Sequence, residues 1–258
     1  LVSCSIQIKS AAELARMRDA GRIVYLVLEG LRLAAVPGRT TDELDRLAHR
    51  RAVELGASPA FLNYQGYPKS LCASLNDEVV HGIPRGDRVL KDGDLLKLDF
   101  GAAFQGYYGD AAITVEIGEV SAEARKLARV TREALGRGVA VARVGNRVSD
   151  IGAAIQAHAE ANGFHVVRNF VGHGIGRALH EAPKIPNYRS AAEAGASGDA
   201  KLEPGMVLAI EPMVNAGGSP TRVLQDRWTA VTADGRLSAH FEHTVAVTKE
   251  GPEVLTLA

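Results

Sequence analysis

The chain repeats itself, and that repetition restricts its possible folds more than any other feature. Gly38 and Gly145 each follow a long run of helical apolar spacing, and Gly56 and Gly163 each close a shorter run that comes next, at one common offset. "LKDGDLLKLD", ending at Asp99, lies over "LEPGMVLAIE", ending at Glu211, with Leu, Gly, the apolar run and a terminal carboxylate in register. "VVHGI" around His81 lies over "VGHGI" around His173, and "GDAAITV" from Asp110 is echoed by "FEHTVAV" at Glu242. Any one of these matches is weak, but four in the same order describe a duplicated unit. The expected architecture is α+β, a single domain over residues 1–258 whose halves run from about 10 to 118 and about 119 to 258. Each half carries two helices and a small antiparallel sheet, and a pseudo-twofold packs the two sheets against each other.

Local signals place the helices. Ser10 and Glu13 form a capping box ahead of Leu14, Met17, Ile23, Leu26 and Val27, whose spacing predicts a helix reaching towards "VPG" at Val36 to Gly38. Thr40 and Glu43 open a second helix, with Gly56 set to end it. "SAEARKLARVTREALGRGVAVARVG" and "SDIGAAIQAHAEANG" repeat the long and short helices, the latter ending at Gly163. The link between the halves falls near Gly118 to Val120, and the small polar stretch from Ser190 to Ala200 reads as a solvated loop.

This arrangement draws four carboxylates together. Gln105 and Gly106 can turn a hairpin that sets Asp99 and Asp110 on neighbouring strands, and the pseudo-twofold brings Glu211 and Glu242 up to meet them. A buried run of apolar residues ending on an unpaired carboxylate is costly, and four such groups must be protonated, repel one another or bind cations. His173 stands between glycines in "GHGIG", where the backbone can approach closely and the imidazole is expected to be poorly hidden. Four carboxylates with a neutral imidazole carry the charge that two divalent cations would balance. Oxygen-rich ligation with one imidazole suits Mn, Fe(II) or Co, with Zn also admissible. Paired ions can hold a bridging hydroxide and clamp both a carbonyl oxygen and a leaving group, so the expected reaction is hydrolysis. His81 and His180 stay outside this ligand set, free to hydrogen-bond a substrate or its tetrahedral intermediate.

Composition removes other classes. Lys plus Arg and Asp plus Glu number 30 each, so no charge imbalance points to nucleic acid or an anionic membrane surface. Two cysteines, Cys4 and Cys72, build neither a disulfide framework nor a four-cysteine zinc site. "LVSCSIQIKS" has no apolar signal-like core, and a cytoplasmic protein is expected.

"HGIP" at His81, "LDFGAAFQGYYGDAAIT", "GHGIGRALHEAP", "VLAIEPM" and "FEHTVAV" together resemble the type I methionine aminopeptidases in their short bacterial form. The resemblance implies the pita-bread fold and metal-dependent removal of the initiator methionine when the second residue is small, by a metal-bound hydroxide attacking the methionine carbonyl. It implies Asp99, Asp110, His173, Glu211 and Glu242 as ligands of two divalent ions, with Asp110 and Glu242 bridging and Glu211 doubling as the acid-base group. His81 would meet the scissile amide and His180 the carbonyl, and Tyr64, Tyr67, Cys72, Leu179 and Trp228 would line the methionine pocket. Expected partners are peptides and nascent chains beginning with methionine, with at most transient contact with ribosomes, no nucleic-acid specificity, no membrane and a monomeric state. The chain departs from the family's common pattern at Leu179, where many members have Phe, and at His240, where many have Gln. His240 reads either as an exposed polar residue or as one that alters the surroundings of the Glu242 ligand. The alternative readings are a proline-directed peptidase of the same fold and an inactive module that binds nascent chains.

Overall fold

The computed structural model describes residues 5–190 and 199–257. Helix α1 (Ala11–Ala34) begins where the Ser10 side chain accepts from the Glu13 N–H and the Glu13 carboxylate accepts from the Ser10 N–H at 2.9 Å. Helix α2 (Thr41–Glu54) starts on the same reciprocal pair between Thr40 and Glu43. Just past its end Gly56 takes a φ of 78°, a left-handed turn that glycine adopts at no steric cost. Helices α3 (Ala122–Val141) and α4 (Val148–Ala161) repeat this long and short pair, and Gly163 at φ 84° stands where Gly56 stands in the first half.

Among the described residues, both halves feed one nine-stranded sheet rather than two small ones. Its centre is the hairpin Leu95–Phe104 and Tyr107–Glu116, turned by Gln105 and Gly106 at φ 48° and 79°, the paired positive values of a two-residue turn that matches strand twist. The strand Glu242–Val247 joins Tyr107–Glu116 on one edge and Val207–Ile210 on the other, all antiparallel. Gly172–Gly174 then pairs with Val207–Ile210, opposite His173 and Ala209. The expected sheet-on-sheet packing is therefore corrected. The halves meet edge to edge, because the second aspartate strand of one half and the second glutamate strand of the other pair through their backbones and leave no sheet faces to be stacked.

Alternation along the strands separates core from site. Leu96, Leu98, Phe100 and Ala102 point to one face and pack with Val24, Leu31, Leu44 and Ala48 of α1 and α2. Leu208, Ile210, Val245 and Val247 do the same beneath Leu127, Val130, Ile151 and Ile155 of α3 and α4. Burying that face contributes roughly 1.5–3 kcal/mol for each large aliphatic side chain. The helices come close to the sheet. A Cβ on Gly109 would lie 2.9 Å from the backbone nitrogen of Gly21, and a Cβ on Gly152 would lie 2.5 Å from the Tyr188 carbonyl oxygen. With one face filled by helices, the residues of opposite parity, Asp99, Asp110, Glu242 and the residue after Ile210, are all turned to the other face.

Candidate metal centre

Register puts the carboxylates on one row. Asp99 is paired with Ala112, Ala112 is paired with Glu242, and His243 is paired with Ile210, so Glu211 follows on the next strand at the same level. Asp110 sits two residues before Ala112, opposite Gly101. A side chain at 101 would press on this group, since a Cβ there would lie 2.9 Å from the Phe61 ring and 3.3 Å from Asp110 Oδ1. Two threonines fasten the row. The Thr244 hydroxyl donates to the Asp110 carbonyl at 2.7 Å while accepting from the Asp110 N–H at 3.0 Å. Thr114 does the same for His240, donating to its carbonyl at 2.7 Å and accepting from its N–H at 3.0 Å.

His173 comes to the row from the neighbouring strand. Its Nδ1 lies 2.9 Å from the Gly174 carbonyl, which can only accept, so Nδ1 carries the proton and Nε2 presents its lone pair to the site, 3.5 Å from Glu211 Oε1. The sequence suggested an exposed imidazole here, but His173 is buried. The flanking glycines admit other backbone rather than solvent: a Cβ on Gly172 would lie 2.3 Å from the Ala209 carbonyl oxygen, and one on Gly174 would lie 2.1 Å from that of Ala182.

Burial without partners makes the group electrostatically unsettled. Asp99 Oδ1, Asp110 Oδ1 and Glu242 Oε1 are buried and make no hydrogen bond among the described residues. Burial pushes the Asp99 carboxyl up to about 7. Burial, reinforced by the neighbouring carboxylates, raises Asp110, Glu211 and Glu242 well above the usual range. The same loss of water holds His173 neutral, its pKa lowered to about 3. Orphaned carboxylate oxygens beside a neutral imidazole fit a divalent cation, which supplies the missing partners and the missing positive charge. Donor atoms of Asp110, His173 and Glu242 lie within 4.8 Å of one another, and so do those of Glu211, His240 and Glu242. Asp99 belongs to neither group and faces the same cavity.

His240 is the residue whose place the sequence left open. It is buried, at 1% exposure, because it lies on a short strand (Ser238–His240) paired with Met213–Asn215 beneath α3. The reading as an exposed polar residue is corrected. Its position two residues before Glu242 was the available signal, since alternation directs both side chains the same way.

Above the row lies a cavity of about 230 Å³. Its walls include the residues expected to bind metal or substrate, namely Tyr64, Tyr67, Cys72, His81, Asp99, Asp110, His173, Leu179, His180, Glu211, Trp228 and Glu242, together with Phe61 and Gln65, which were not anticipated; His240 is not among them. Tyr67 donates its hydroxyl to the Leu71 and Gly82 carbonyls, both at 3.0 Å, and meets the Trp228 ring edge-on at 5.1 Å. Tyr64 Oη lies 2.8 Å from His180 Nδ1, and its ring stacks on that imidazole at 5.2 Å. The His180 turn is pinned from behind, where Glu181 accepts from the N–H groups of Arg177 and Ala178 and from the buried Lys9 ammonium. His81 stands on left-handed backbone at φ 61°, against Phe170 and Trp228, and burial holds it neutral with a pKa of about 4.

A buried row of carboxylates with an inward imidazole, roofed by an apolar cavity with two further neutral histidines, defines a hydrolytic metal centre. Residues 15–249 match the profile of metallopeptidase family M24. Over 248 residues the chain is 49% identical to methionine aminopeptidase 1 of Bacillus subtilis, covering 96% of this chain and 98% of that one. The crystal structure of a methionine aminopeptidase from Thermotoga maritima superposes with a TM-score of 0.94 at 43% identity, covering 98% of this chain and all of that one. An Xaa-Pro dipeptidase from Bacillus anthracis shares the fold at a TM-score of 0.78 and 25% identity, but this chain spans only 62% of it. The chain therefore belongs to metallopeptidase family M24 and, within it, to the type I methionine aminopeptidases with their pita-bread fold.

Proposed function

We propose that this chain removes the N-terminal methionine from polypeptides by metal-dependent hydrolysis of the first peptide bond, with residues 1–258 acting as one catalytic domain. The observation that carries the reading is the set of buried, unpartnered carboxylate oxygens on Asp99, Asp110 and Glu242, placed with His173 and Glu211 at the base of an apolar-walled cavity. These five residues would hold two divalent ions, of Co, Mn, Fe(II) or Zn. Bound there, the ions would supply Lewis acidity and a water-derived nucleophile at neutral pH.

The chain's own residues supply the rest. Glu211 accepts the proton of the attacking water and returns it to the departing amine, a role open to a carboxylate at the base of the cavity. The Tyr64 hydroxyl bonds His180 Nδ1, and in the tautomer in which the hydroxyl donates, Nε2–H is left as a donor for the carbonyl oxygen of the scissile bond. His81, neutral in the cavity lining beside Trp228, donates to the amide or to the leaving nitrogen. Tyr64, Tyr67, Cys72, Leu179 and Trp228 take the methionine side chain. With Leu179 buried in that wall, the pocket remains apolar without a ring at this position. The second residue must be small, the substrates are nascent chains met in the cytoplasm by a monomer, and any ribosome contact is transient.

The test is release of free methionine from Met-Ala-Ser by metal-stripped protein to which Co(II), Mn(II), Fe(II), Zn(II) or nothing is returned. Release only with metal is expected. Equal cleavage of Met-Ala and Met-Leu peptides would contradict the size rule, and preferential cleavage of X-Pro peptides would transfer the chain to the proline-directed reading.

A further inference from the structure

Leu179 in the cavity wall and His180 beside Tyr64 are consecutive residues, and neither lies in a helix or strand. A loop at the edge of an open cavity would ordinarily be among the more mobile parts of a fold. This one is tied to the start of the chain. Glu181 Oε1 closes the turn by accepting from the Arg177 N–H at 2.7 Å and the Ala178 N–H at 3.1 Å, and its other carboxylate oxygen accepts from the ammonium of Lys9, 172 residues away in sequence. Both side chains are shielded, at 4% exposure for Lys9 and 10% for Glu181. Lys9 is itself fastened, since its N–H donates to the Gly205 carbonyl at 2.8 Å and its ammonium also donates to the Gln7 carbonyl at 3.2 Å. Gly176 makes room for the lysine stem: a Cβ there would lie 2.4 Å from Lys9 Cε and 2.7 Å from Glu181 Oε1.

A buried ion pair contributes little stability beyond an apolar pair of the same volume, whereas its charge-assisted hydrogen bonds fix direction strongly. The second tie on this loop, from the Arg177 guanidinium to Glu13, is 69% exposed on the arginine side and holds far less. We infer that Lys9 and Glu181 are positioning residues of the catalytic site. The ammonium holds the carboxylate, the carboxylate holds the N–H groups of the turn, and the turn sets His180 against Tyr64 and Leu179 into the pocket wall. The inference rests on the reading of His180 as the group that meets the scissile carbonyl and adds the N-terminal segment to what places it.

The assay is methionine release from Met-Ala-Ser by the metal-loaded full chain, well below its Tm. Lys9→Met keeps an apolar stem in the slot and removes the ammonium. It should lower kcat about tenfold, as small displacements of a catalytic group do, with KM changed less than about threefold. In a His180→Ala background the same substitution should change kcat by less than about twofold, because the loss passes through His180. The His180 imidazole signal in an NMR spectrum of nitrogen-labelled histidines, assigned by its disappearance in His180→Ala, should shift in Lys9→Met while that of His158 on α4 stays in place. Lys9→Met/Glu181→Gln, in which no buried charge is left without its partner, should show the same loss and replaces the single variant if that one does not fold. An unshifted His180 signal overturns the inference, as does a parental kcat or an equal loss of kcat with and without His180. If the parent releases no methionine, the proposed function fails, and the His180 signal alone then decides whether Lys9 positions the turn.

Discussion

Removing metal should make stability fall as pH rises through neutrality, the reverse of what buried histidines alone would do. In the folded, metal-free chain Asp110, Glu211 and Glu242 hold their protons well above the usual carboxylate range, and Asp99 holds its proton to about 7. Unfolded, all four ionise near pH 4. The folded state therefore binds more protons between those limits, and each such carboxyl removes about 1.4 kcal/mol of stability per pH unit. Lys97 works in the opposite direction. Buried on the same sheet face with its ammonium against the Asn76 carbonyl, it has a pKa lowered to about 7, so above that pH the unfolded state binds the extra proton. His81, His173, His240 and His243 are neutral when folded, with pKa values between about 3 and 4, and matter only below about 6.5, where they too lower stability. The raised carboxyls thus oppose one lysine, and each net proton retained by the folded state costs about 1.4 kcal/mol per pH unit. For a chain of this size one such proton lowers Tm by about 3–6 °C per pH unit. The assay is thermal unfolding of chelator-treated protein from pH 6.5 to 8, with and without a divalent metal. Tm should decline across that range without metal and recover when metal is added, and Asp110→Asn should flatten the decline. A metal-free Tm that is constant or rises between pH 7 and 8 would refute the argument.

Glu211→Gln should leave the fold intact by circular dichroism and lower kcat on Met-Ala-Ser by about 10²–10⁴-fold, since an amide cannot carry the proton; turnover within tenfold of the parent would end the acid-base assignment. Glu181→Ala should destabilise the chain by about 3–5 kcal/mol, because the Lys9 ammonium it leaves behind is 4% exposed, and urea unfolding measures it. Tyr64→Phe removes the hydroxyl that holds His180 Nδ1 and should reduce kcat more than it raises KM, whereas a change in KM alone would make Tyr64 a wall of the pocket and nothing more. Gly109→Val should prevent stable folding or sharply reduce soluble yield, because the added atoms meet the backbone of α1 rather than a movable side chain, and normal yield with normal Tm would count against that packing.

The parts of the fold that the sequence made legible are those governed by short-range chemistry. Ser10 with Glu13 and Thr40 with Glu43 announce their helices because the capping bonds join residues three apart, and Gln105-Gly106 announces its hairpin because few residues accept two successive positive φ values. The repeat then relates one half to the other without any long-range information. What it could not give is how the halves join. A pseudo-twofold is equally compatible with sheets stacked on their faces and with strands paired along their edges, and the choice falls to the pairing of Tyr107–Glu116 with Glu242–Val247. Exposure was misjudged for a similar reason. Glycines around His173 suggest open space in a sequence, yet in the fold that space is occupied by the Ala182 and Ala209 carbonyls. For the Ser190 to Ala200 stretch, residues 191–198 lie outside the described residues.

The cost of the carboxylate row explains why so much of the chain is spent on holding it. Carboxyls with raised pKa values favour any rearrangement that lets them reach water, so a sheet that merely brought them near each other would relax and separate them. Here the relaxation is opposed at each strand. The Asp110 and His240 backbones are bonded in both directions by Thr244 and Thr114, Gly101 leaves no side chain to wedge the row apart, and the opposite face is committed to two helix pairs. Energy stored as unfavourable proximity is returned when a cation enters, so the core that α1 to α4 build also sets the affinity of the centre. Substitutions under the helices, such as Leu98→Ala or Leu208→Ala, should therefore weaken metal binding as well as stability, although neither side chain reaches the site.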